Sequence, residues 1–324
     1  MKEQWLQLKG ERRTLPKLIL GTANFGDPSR EDLAQEVFDA YEELGGRVFD
    51  TARAYGNGEK ALKRWLTTIN PDSGRSRMAQ RNRYTIITKC CHPKSGSSSP
   101  RVTPKAVRED LNASLRTLGL DYVEVLLFHR DDETMAVGPL MEVMAELLAE
   151  GKIGGFGFSN WSQKRMTQAI AYCRKNGLAT PIANSPNYSL AQVNGQRWPG
   201  CLTADEEMLR WHTQNQLPLL AWSPQAEGFF VSRYESENGK NHAPTDYVAA
   251  YFNTVNWRRL AAVEKKATEK QLAPTQLALA YVMQRPDFPV AAIVGTSSVT
   301  HLKEVWEAQT ISLTNSELQQ LACD

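Results

Sequence analysis

The fold can be worked out from the stretch Phe49-Asp50-Thr51-Ala52-Arg53-Ala54-Tyr55-Gly56-Asn57-Gly58-Glu59. The apolar pair Val48-Phe49 predicts the end of a strand, and Asp50 stands where that strand should stop. Tyr55 follows in a glycine-rich turn, and a helical pattern begins at Glu59. A carboxylate and a phenol are therefore expected close together at the C-terminal end of a strand, where α/β folds usually carry their active sites.

Two later β-rich runs end in the same way. Residues 84–89 (YTIITK) end in Lys89, and residues 122–129 (YVEVLLFH) end in His129. Each side chain alone has an ordinary structural interpretation, because a tyrosine after a turn often packs on the surface and an isolated histidine is usually hydrogen-bonded structure. Four ionisable groups at the ends of strands instead favour an active site.

Composition narrows the class of protein. The 324 residues are 23% charged and 41% hydrophobic, which suits one large barrel or two ordinary domains. A net charge of +2 argues against a nucleic-acid or acidic-membrane partner. No apolar run approaches the roughly 20 residues that span a bilayer, and the N-terminal MKEQWLQLKGERR lacks a signal core. Five cysteines without a CxxC pair, and no HExxH motif, predict free thiols and no metal site in a cytoplasmic protein.

Eight β-like runs alternate with helical patterns over about 300 residues, which predicts an α/β fold, a (β/α)8 TIM barrel, as a single domain over residues 1–324. We expect an N-terminal β-hairpin, from β-like runs at residues 5–8 and 17–20 around the polar residues 10–13, and an inserted loop after strand 7 at residues 225–254. The alternative is a doubly wound Rossmann sheet, but that fold would need GxGxxG after an early strand. The glycines of residues 154–157 lie inside a strand and indicate tight packing instead.

Three local predictions concern loops and caps. Ser29 is expected to cap the helix that ends at Gly45-Gly46. Residues 69–82 are polar and predict an exposed excursion. The loop of residues 92–102 leaves the C-terminal end of a strand and should face the active site, before Thr103-Pro104 begins a helix.

Six motifs carry a family resemblance: FDTARAYGNGE, IITKC, LLFHRDD, GKIGGFGFSN, LAWSP and IVGTSS. In this order, over roughly residues 15–310, they make the chain similar to the aldo-keto reductase superfamily. The resemblance implies an oxidoreductase that reduces an aldehyde, ketone or sugar carbonyl with NAD(P)H, or runs the reverse dehydrogenation. It assigns the catalytic roles to Asp50, Tyr55, Lys89 and His129.

The residue types suit that chemistry. Tyr55 is expected to donate the proton, although a free phenol has a pKa of about 10. An ammonium such as Lys89 within about 4 Å would lower that pKa by roughly 2–3 units before desolvation opposes it. Asp50 would keep Lys89 charged, and His129 would hydrogen-bond the carbonyl oxygen. General acid catalysis of this kind is worth roughly 10²–10⁴-fold.

The hydride must come from a cofactor, and the resemblance implies where it binds. It places the nicotinamide near Gly21, Thr22 and Asp50, its carboxamide on Ser159 and Asn160, and its ring against Trp222. It assigns the pyrophosphate and adenosine ends to Ser223, Pro224, Gln225, Gly228, Gly295, Thr296, Ser297, His301 and Glu304.

Departures from the family pattern bear on the choice of cofactor. Ser185 replaces a glutamine near the nicotinamide, and Val305 replaces an asparagine after the motif's glutamate. Gly295, Ser297 and His301 stand where a lysine or arginine often meets the 2′-phosphate. NADP(H) is still favoured over NAD(H), and two cations of the insertion, Arg233 and Lys240, are candidates for the missing charge.

The short C-terminal tail predicts an open substrate pocket. Candidates for its rim, beside Tyr55 and His129, are Arg53, His92, Arg130, Trp161 and Tyr188. A polar substrate, anionic or sugar-like, is the hypothesis. Two alternatives remain: a cofactor-sensing regulatory subunit resembling the β subunits of potassium channels, and a metal-dependent barrel hydrolase. The sequence leaves open the natural substrate, the physiological direction and homo-oligomer formation.

Overall fold

Parallel strands form a barrel in the computed structural model, which describes residues 4–70, 74–97, 99–231, 243–284 and 287–323. The described strands are β1 (Trp5–Gln7), β2 (Arg12–Thr14), β3 (Leu18–Gly21), β4 (Val48–Asp50), β5 (Ile69–Asn70), β6 (Arg75–Ser76), β7 (Thr85–Cys90), β8 (Val123–Phe128), β9 (Ile153–Ser159), β10 (Asn184–Ser185), β11 (Leu219–Trp222) and β12 (Val290–Val294). Eight of these described strands close in the order β3-β4-β7-β8-β9-β10-β11-β12, with β12 paired to β3. The predicted (β/α)8 barrel is confirmed.

Helices surround the barrel. Those described are α1 (Glu31–Glu43), α2 (Gly58–Thr67), α3 (Pro104–Leu118), α4 (Val137–Ala149), α5 (Gln163–Lys175), α6 (Glu206–Asn215), α7 (Thr245–Tyr251), α8 (Thr254–Lys270), α9 (Pro274–Met283), α10 (Val299–Glu307) and α11 (Asn315–Ala322). Their ends follow the local sequence. The hydroxyl of Thr103 accepts from the Ala106 amide and Gly119 ends α3 at φ 69°, as predicted for that helix.

The core has an inner and an outer part because successive strand residues face opposite sides. Ile19, Val48 and Ile87 belong to a cluster inside the barrel, whereas their neighbours pack outward against the helices. Strands buried on both faces explain the continuous apolar runs in the sequence.

The glycines of β9 are required by this close packing. A Cβ added to Gly157 would lie 2.2 Å from the Ala183 carbonyl oxygen, and one on Gly154 would lie 2.1 Å from the Tyr122 hydroxyl. These distances support the interpretation of the glycines as packing residues.

The N-terminal hairpin is confirmed, but its pairing differs from the prediction. Trp5 pairs with Thr14 and Gln7 with Arg12, so the polar residues 12–13 lie in the second strand rather than in the turn. The turn is tighter because Gly10 adopts φ 81°. The run at residues 17–20 is instead the first barrel strand.

This hairpin covers the N-terminal end of the barrel. Leu6 and Leu8 join the inner cluster, and the Lys9 amide donates to the Gly154 carbonyl at 2.7 Å. The opposite end, where the strands finish, is left for a cavity.

Two local predictions are corrected. Ser29 does not cap α1: its amide donates to the Asp27 side chain, and residues 28–30 form a separate short turn. The excursion after α2 is not simply exposed, because the buried side chain of Arg77 bonds Glu42 at 2.7 Å and Asp39 at 2.6 Å. The local sequence could not indicate that Arg77 is buried, because its partners Asp39 and Glu42 lie on α1, more than 30 residues earlier.

The inserted segment follows β11. Residues 226–231 form a short 3-10 stretch, and α7 packs with it through an aromatic cluster that includes Phe229, Tyr247 and Tyr251. Arg233 and Lys240 lie outside the described residues. Within the described ranges, no helix is long and apolar enough to cross a membrane, and no three His, Cys, Asp or Glu side chains are grouped as metal ligands would be.

Candidate active site

A cavity of about 1350 Å³ opens at the C-terminal ends of the barrel strands. Most of the predicted site residues line it: Gly21, Asp50, Tyr55, Lys89, His92, His129, Arg130, Ser159, Asn160, Trp222, Ser223, Pro224, Gln225, Gly228, Gly295, Ser297 and His301. We call Asp50, Tyr55, Lys89 and His129 the floor cluster. The rim consists of the described loop residues 92–97, 99–102, 130–131, 192–205 and 223–231.

Lys89 holds the floor cluster together. Its Nζ atom donates to both carboxylate oxygens of Asp50, at 2.6 and 2.7 Å, and to the Thr51 carbonyl at 3.1 Å. β4 pairs with β7, which brings the two side chains to the same end of the barrel. Burial lowers the pKa of Lys89, but Asp50 and Tyr55 outweigh it and the net direction is upward. The ammonium ion is therefore retained.

The phenol of Tyr55 completes this contact. The Lys89 Nζ atom lies 3.2 Å from the Tyr55 hydroxyl oxygen and 4.8 Å from the centre of its ring. The turn that carries Tyr55 depends on Gly56, which has φ 55° and packs so closely on Gly26 that an added Cβ would lie 2.6 Å from its carbonyl oxygen.

The pKa of Tyr55 moves against expectation. Burial raises it, and the opposing charge of Lys89 does not compensate. The expected lowering by the ammonium ion is thus overturned in this structure by desolvation. A phenol with a raised pKa remains protonated at neutral pH and is available as a proton donor.

His129 presents a neutral imidazole. Burial, followed by the charge of Lys89, lowers its pKa well below the usual value. Its ring meets the Tyr55 ring edge-on at 5.5 Å, and its buried Nδ1 atom has no hydrogen-bond partner. An unpaired acceptor is less costly than an unpaired donor, so the proton is expected on Nε2.

Another buried histidine shows the contrast. Nδ1 of His212 contacts the Leu217 carbonyl at 2.7 Å, and Nε2 contacts the Asn184 amide at 3.2 Å. Burial lowers the pKa of His212 to about 4. Both ring nitrogens of His212 have hydrogen-bond partners within the protein. His129 lines the cavity, and its Nδ1 atom has none among the described residues.

The candidate carboxamide residues are already bonded within the protein. The Ser159 hydroxyl donates to the Ser185 carbonyl at 2.7 Å, and the Asn160 amide donates to the His129 carbonyl at 3.1 Å. Asn160 has φ 63°, a left-handed conformation that concentrates at functional sites.

The segment after β11 is the most strained part of the cavity wall. Ser223, Ala226 and Glu227 have φ values of 48°, 49° and 53°. The buried Trp222 Nε1 and Gln225 Nε2 atoms beside it have no partner in the described structure. Unpaired donors and left-handed backbone suit the binding of an anionic, polar ligand.

Four candidate cofactor residues do not line the cavity. Thr22 is buried and its hydroxyl donates to Thr51 at 2.8 Å. Ser185 donates to the Leu220 carbonyl. The Thr296 hydroxyl donates to the Ser298 carbonyl and Glu304 accepts from Thr275. The side chains of these four residues therefore hydrogen-bond neighbouring residues in this structure.

Three predicted rim residues are also corrected. Trp161 is fully buried and stacks on Phe158 at 4.5 Å between ring centres. Tyr188 is buried in the same core. Arg53 is exposed and its side chain does not line the cavity.

The rim contains residues that the motifs did not reveal. Trp198 is 42% exposed, lines the cavity and lies 5.7 Å from Trp222 between ring centres. Arg197 pairs with Glu227 at 2.7 Å and also with Asp246 of α7, which ties the loop after β10 to the segment after β11. The available signal was the position of Trp198 in a loop that follows a barrel strand.

The residues that follow β12 are those to which the resemblance assigned the adenosine end of the cofactor. Among the described residues, Lys89 and Arg130 are the lysine and arginine side chains that line the cavity, and neither follows β12. Gly295, Ser297 and His301 do follow β12.

Comparisons with known proteins agree with this architecture. The model of the aldo/keto reductase family matches residues 17–322. The chain is 28% identical over 295 residues to an aryl-alcohol dehydrogenase of Pestalotiopsis microspora, covering 90% of this chain and 72% of that protein. It is 27% identical over 277 residues to a putative voltage-gated potassium channel subunit beta of Schizosaccharomyces pombe, covering 81% and 74%.

A solved structure shares the fold. The crystal structure of an aldo-keto reductase from Klebsiella pneumoniae in complex with NADPH has a TM-score of 0.72 and 23% identity, covering 99% of this chain and 94% of that chain.

Proposed function

The chain belongs to the aldo/keto reductase family, and from that premise we propose that it is an NAD(P)H-dependent carbonyl reductase, or the reverse alcohol or sugar dehydrogenase. The observation that carries the proposal is the 3.2 Å contact between Lys89 Nζ and the Tyr55 hydroxyl at the cavity floor.

In the reducing direction Tyr55 donates a proton to the carbonyl oxygen. Its raised pKa keeps that proton in place until the substrate oxygen acquires charge. Lys89 stabilises the phenolate that forms, and Asp50 holds the ammonium ion. The Nε2–H group of His129 donates to the same carbonyl oxygen and orients it.

A bound nicotinamide cofactor would supply or accept the hydride, which no side chain can do. The residues fitted to hold it are Ser159, Asn160, Trp222 and the strained segment 223–228, since they combine polar groups with an aromatic face. The cavity exceeds the roughly 300–1,000 Å³ of an ordinary small-ligand pocket. NADP(H) is preferred in this proposal because the Klebsiella neighbour was crystallised with NADPH.

Tyr55→Phe tests the proposal. Turnover of an aldehyde panel with NADPH and NADH should fall at least about 10²-fold, while cofactor affinity measured by fluorescence titration stays near wild type. Tyr172→Phe is the matched control, because its hydroxyl bonds Glu142 on the protein surface. Near-normal turnover of Tyr55→Phe would contradict the proposed acid.

A second candidate is a cofactor-sensing regulatory subunit, supported by the similarity to the potassium channel subunit beta. It would bind NADPH tightly yet turn over slowly with every carbonyl. Single-turnover oxidation of bound NADPH separates the two, because a reductase completes it within seconds.

A further inference from the structure

Among the described residues, the Asp, Glu, Lys and Arg side chains that line the cavity are ion-paired, with one exception. Asp50 pairs with Lys89, Asp131 with Arg165 at 3.0 Å, and Glu227 with Arg197. Within the described ranges, Arg130 lines the cavity and has no carboxylate partner. An unpaired guanidinium in a cavity is a binding group for an anion that arrives from outside.

Arg130 is held in place by neutral contacts. Its Nη1 donates to the His129 carbonyl at 2.8 Å, and its own carbonyl accepts from Trp161 Nε1 at 3.2 Å. The side chain passes close to Gly200, where an added Cβ would lie 3.3 Å from its Cδ. These contacts fix the stem and leave further N–H groups of the fork for a ligand.

The position of Arg130 in the barrel favours a contact with the substrate over a contact with the cofactor. Arg130 follows β8, which lies diametrically opposite β12 in the eight-stranded ring. The candidate adenosine residues follow β12. After burial and the charges of the floor cluster, the charge of Arg130 also affects the pKa of Tyr55 and His129, as expected of a group beside the reacting carbonyl.

We propose that Arg130 is a specificity-determining residue that binds an oxyanion, either carboxylate or phosphate, carried by the carbonyl substrate. This inference rests on the proposed reductase function. The exposed ring of Trp198 on the same rim provides a flat apolar surface for the carbon skeleton between the carbonyl and the anion.

Matched substrates separate charge from shape. One pair is 4-carboxybenzaldehyde and its methyl ester, and the other is glyceraldehyde 3-phosphate and glyceraldehyde. The wild type should have the higher kcat/KM for the charged member of one pair, and the favoured pair identifies the oxyanion. Arg130→Gln should lower kcat/KM for that member by about 10–100-fold and for the neutral member by less than about threefold.

Arg130→Lys keeps the charge and should restore part of the preference. Arg116→Gln removes a cation from the exposed end of α3, outside the cavity, and should leave both members unchanged. Equal losses for charged and neutral members in Arg130→Gln would show that Arg130 acts through His129, and would overturn the proposal. A wild type without preference in both pairs would overturn it too.

A binding measurement keeps this inference separate from the proposed function. Calorimetric titration with benzoate, benzamide and inorganic phosphate requires no turnover. Benzoate or phosphate should bind the wild type at least about tenfold more tightly than Arg130→Gln, with benzamide unaffected. If no aldehyde is reduced but this difference appears, the reductase function fails and the oxyanion site stands; equal binding defeats the site.

Discussion

The floor cluster and the rim are built from different parts of the chain. In the floor, Asp50, Lys89 and His129 lie at or just beyond the ends of barrel strands and are 2–6% exposed. In the rim, Trp198 is 42% exposed and the ion pairs of Arg197 reach carboxylates that contact water. Strand pairing therefore fixes the groups suited to chemistry, whereas loops determine what enters the cavity.

The largest effect in this comparison of the floor cluster with the rim is expected from Lys89→Met. It removes the partner of a buried carboxylate, so the free energy of unfolding should fall by about 3–5 kcal/mol and turnover by at least about 10²-fold. Burial already raises the pKa of Asp50 against the charge of Lys89, so the loss should shrink as pH falls and the carboxyl is protonated.

The double variant Asp50→Asn/Lys89→Met separates folding from chemistry. It leaves no uncompensated charge, so most of the unfolding free energy should return while turnover stays low. Urea denaturation and single-turnover kinetics measure the two quantities. A double variant no more stable than Lys89→Met would mean that the ion pair itself, rather than an unpaired charge, accounts for the loss.

A smaller effect is expected from adding one methyl group. Gly157→Ala places a Cβ against the Ala183 backbone beneath the floor and should cost about 1–3 kcal/mol of unfolding free energy. Gly195→Ala is the matched rim substitution, because nothing lies within 4 Å of its added Cβ. It should change stability by less than about 0.5 kcal/mol. Equal losses would contradict the idea that the floor is tightly packed and the rim is tolerant.

The same division explains what the sequence could predict. Apolar β-like runs that alternate with helical patterns were enough to predict the barrel. The predicted ends of the strands located Asp50, Lys89 and His129. Motifs could not tell which way a side chain turns after its strand. Trp161 directly follows Asn160, yet its ring packs into the core between Phe158 and Arg165.

The direction of the Tyr55 pKa was also beyond the sequence. A neighbouring lysine could be inferred from spacing, but the burial that opposes it depends on the whole surrounding wall. Ser29 gave a cap signal, but the Asp27 side chain accepts from the Ser29 amide and caps the short 3-10 helix of residues 28–30, and α1 begins without a side-chain cap. Local sequence patterns indicate which residues could cap a helix or line the site, and tertiary packing determines which of them do.

The rim ion pair should matter less than the floor pair. The Arg197 side chain is 6% exposed, but Arg197→Gln frees Glu227 and Asp246, whose side chains are 28% and 56% exposed and stay hydrated, so the free energy of unfolding should fall by about 1 kcal/mol. Arg77→Gln is the matched substitution with a buried carboxylate, since Arg77 and Glu42 are 4% and 7% exposed, and should cost about 3–5 kcal/mol. Urea unfolding of both variants at low and high salt makes the comparison; an Arg197 loss as large as that of Arg77 would place the rim among the rigid parts.

The smallest expected effect is that of pH on reduction. The acid must be protonated, and burial raises the pKa of Tyr55, so the rate should be lost only as pH rises beyond the ordinary phenol value of about 10. His129 is neutral because burial lowers its pKa well below 6.5, so it should not titrate near neutrality. Saturating kcat should therefore vary less than about twofold between pH 7 and 9.

His92→Gln is the control for any decline of kcat below pH 7, because His92 lies at the rim 4.8 Å from His129 between ring centres. A tenfold fall in kcat between pH 7 and 9 would show that the charge of Lys89 lowers the pKa of Tyr55 more than burial raises it. The floor cluster would then be more hydrated than its geometry implies.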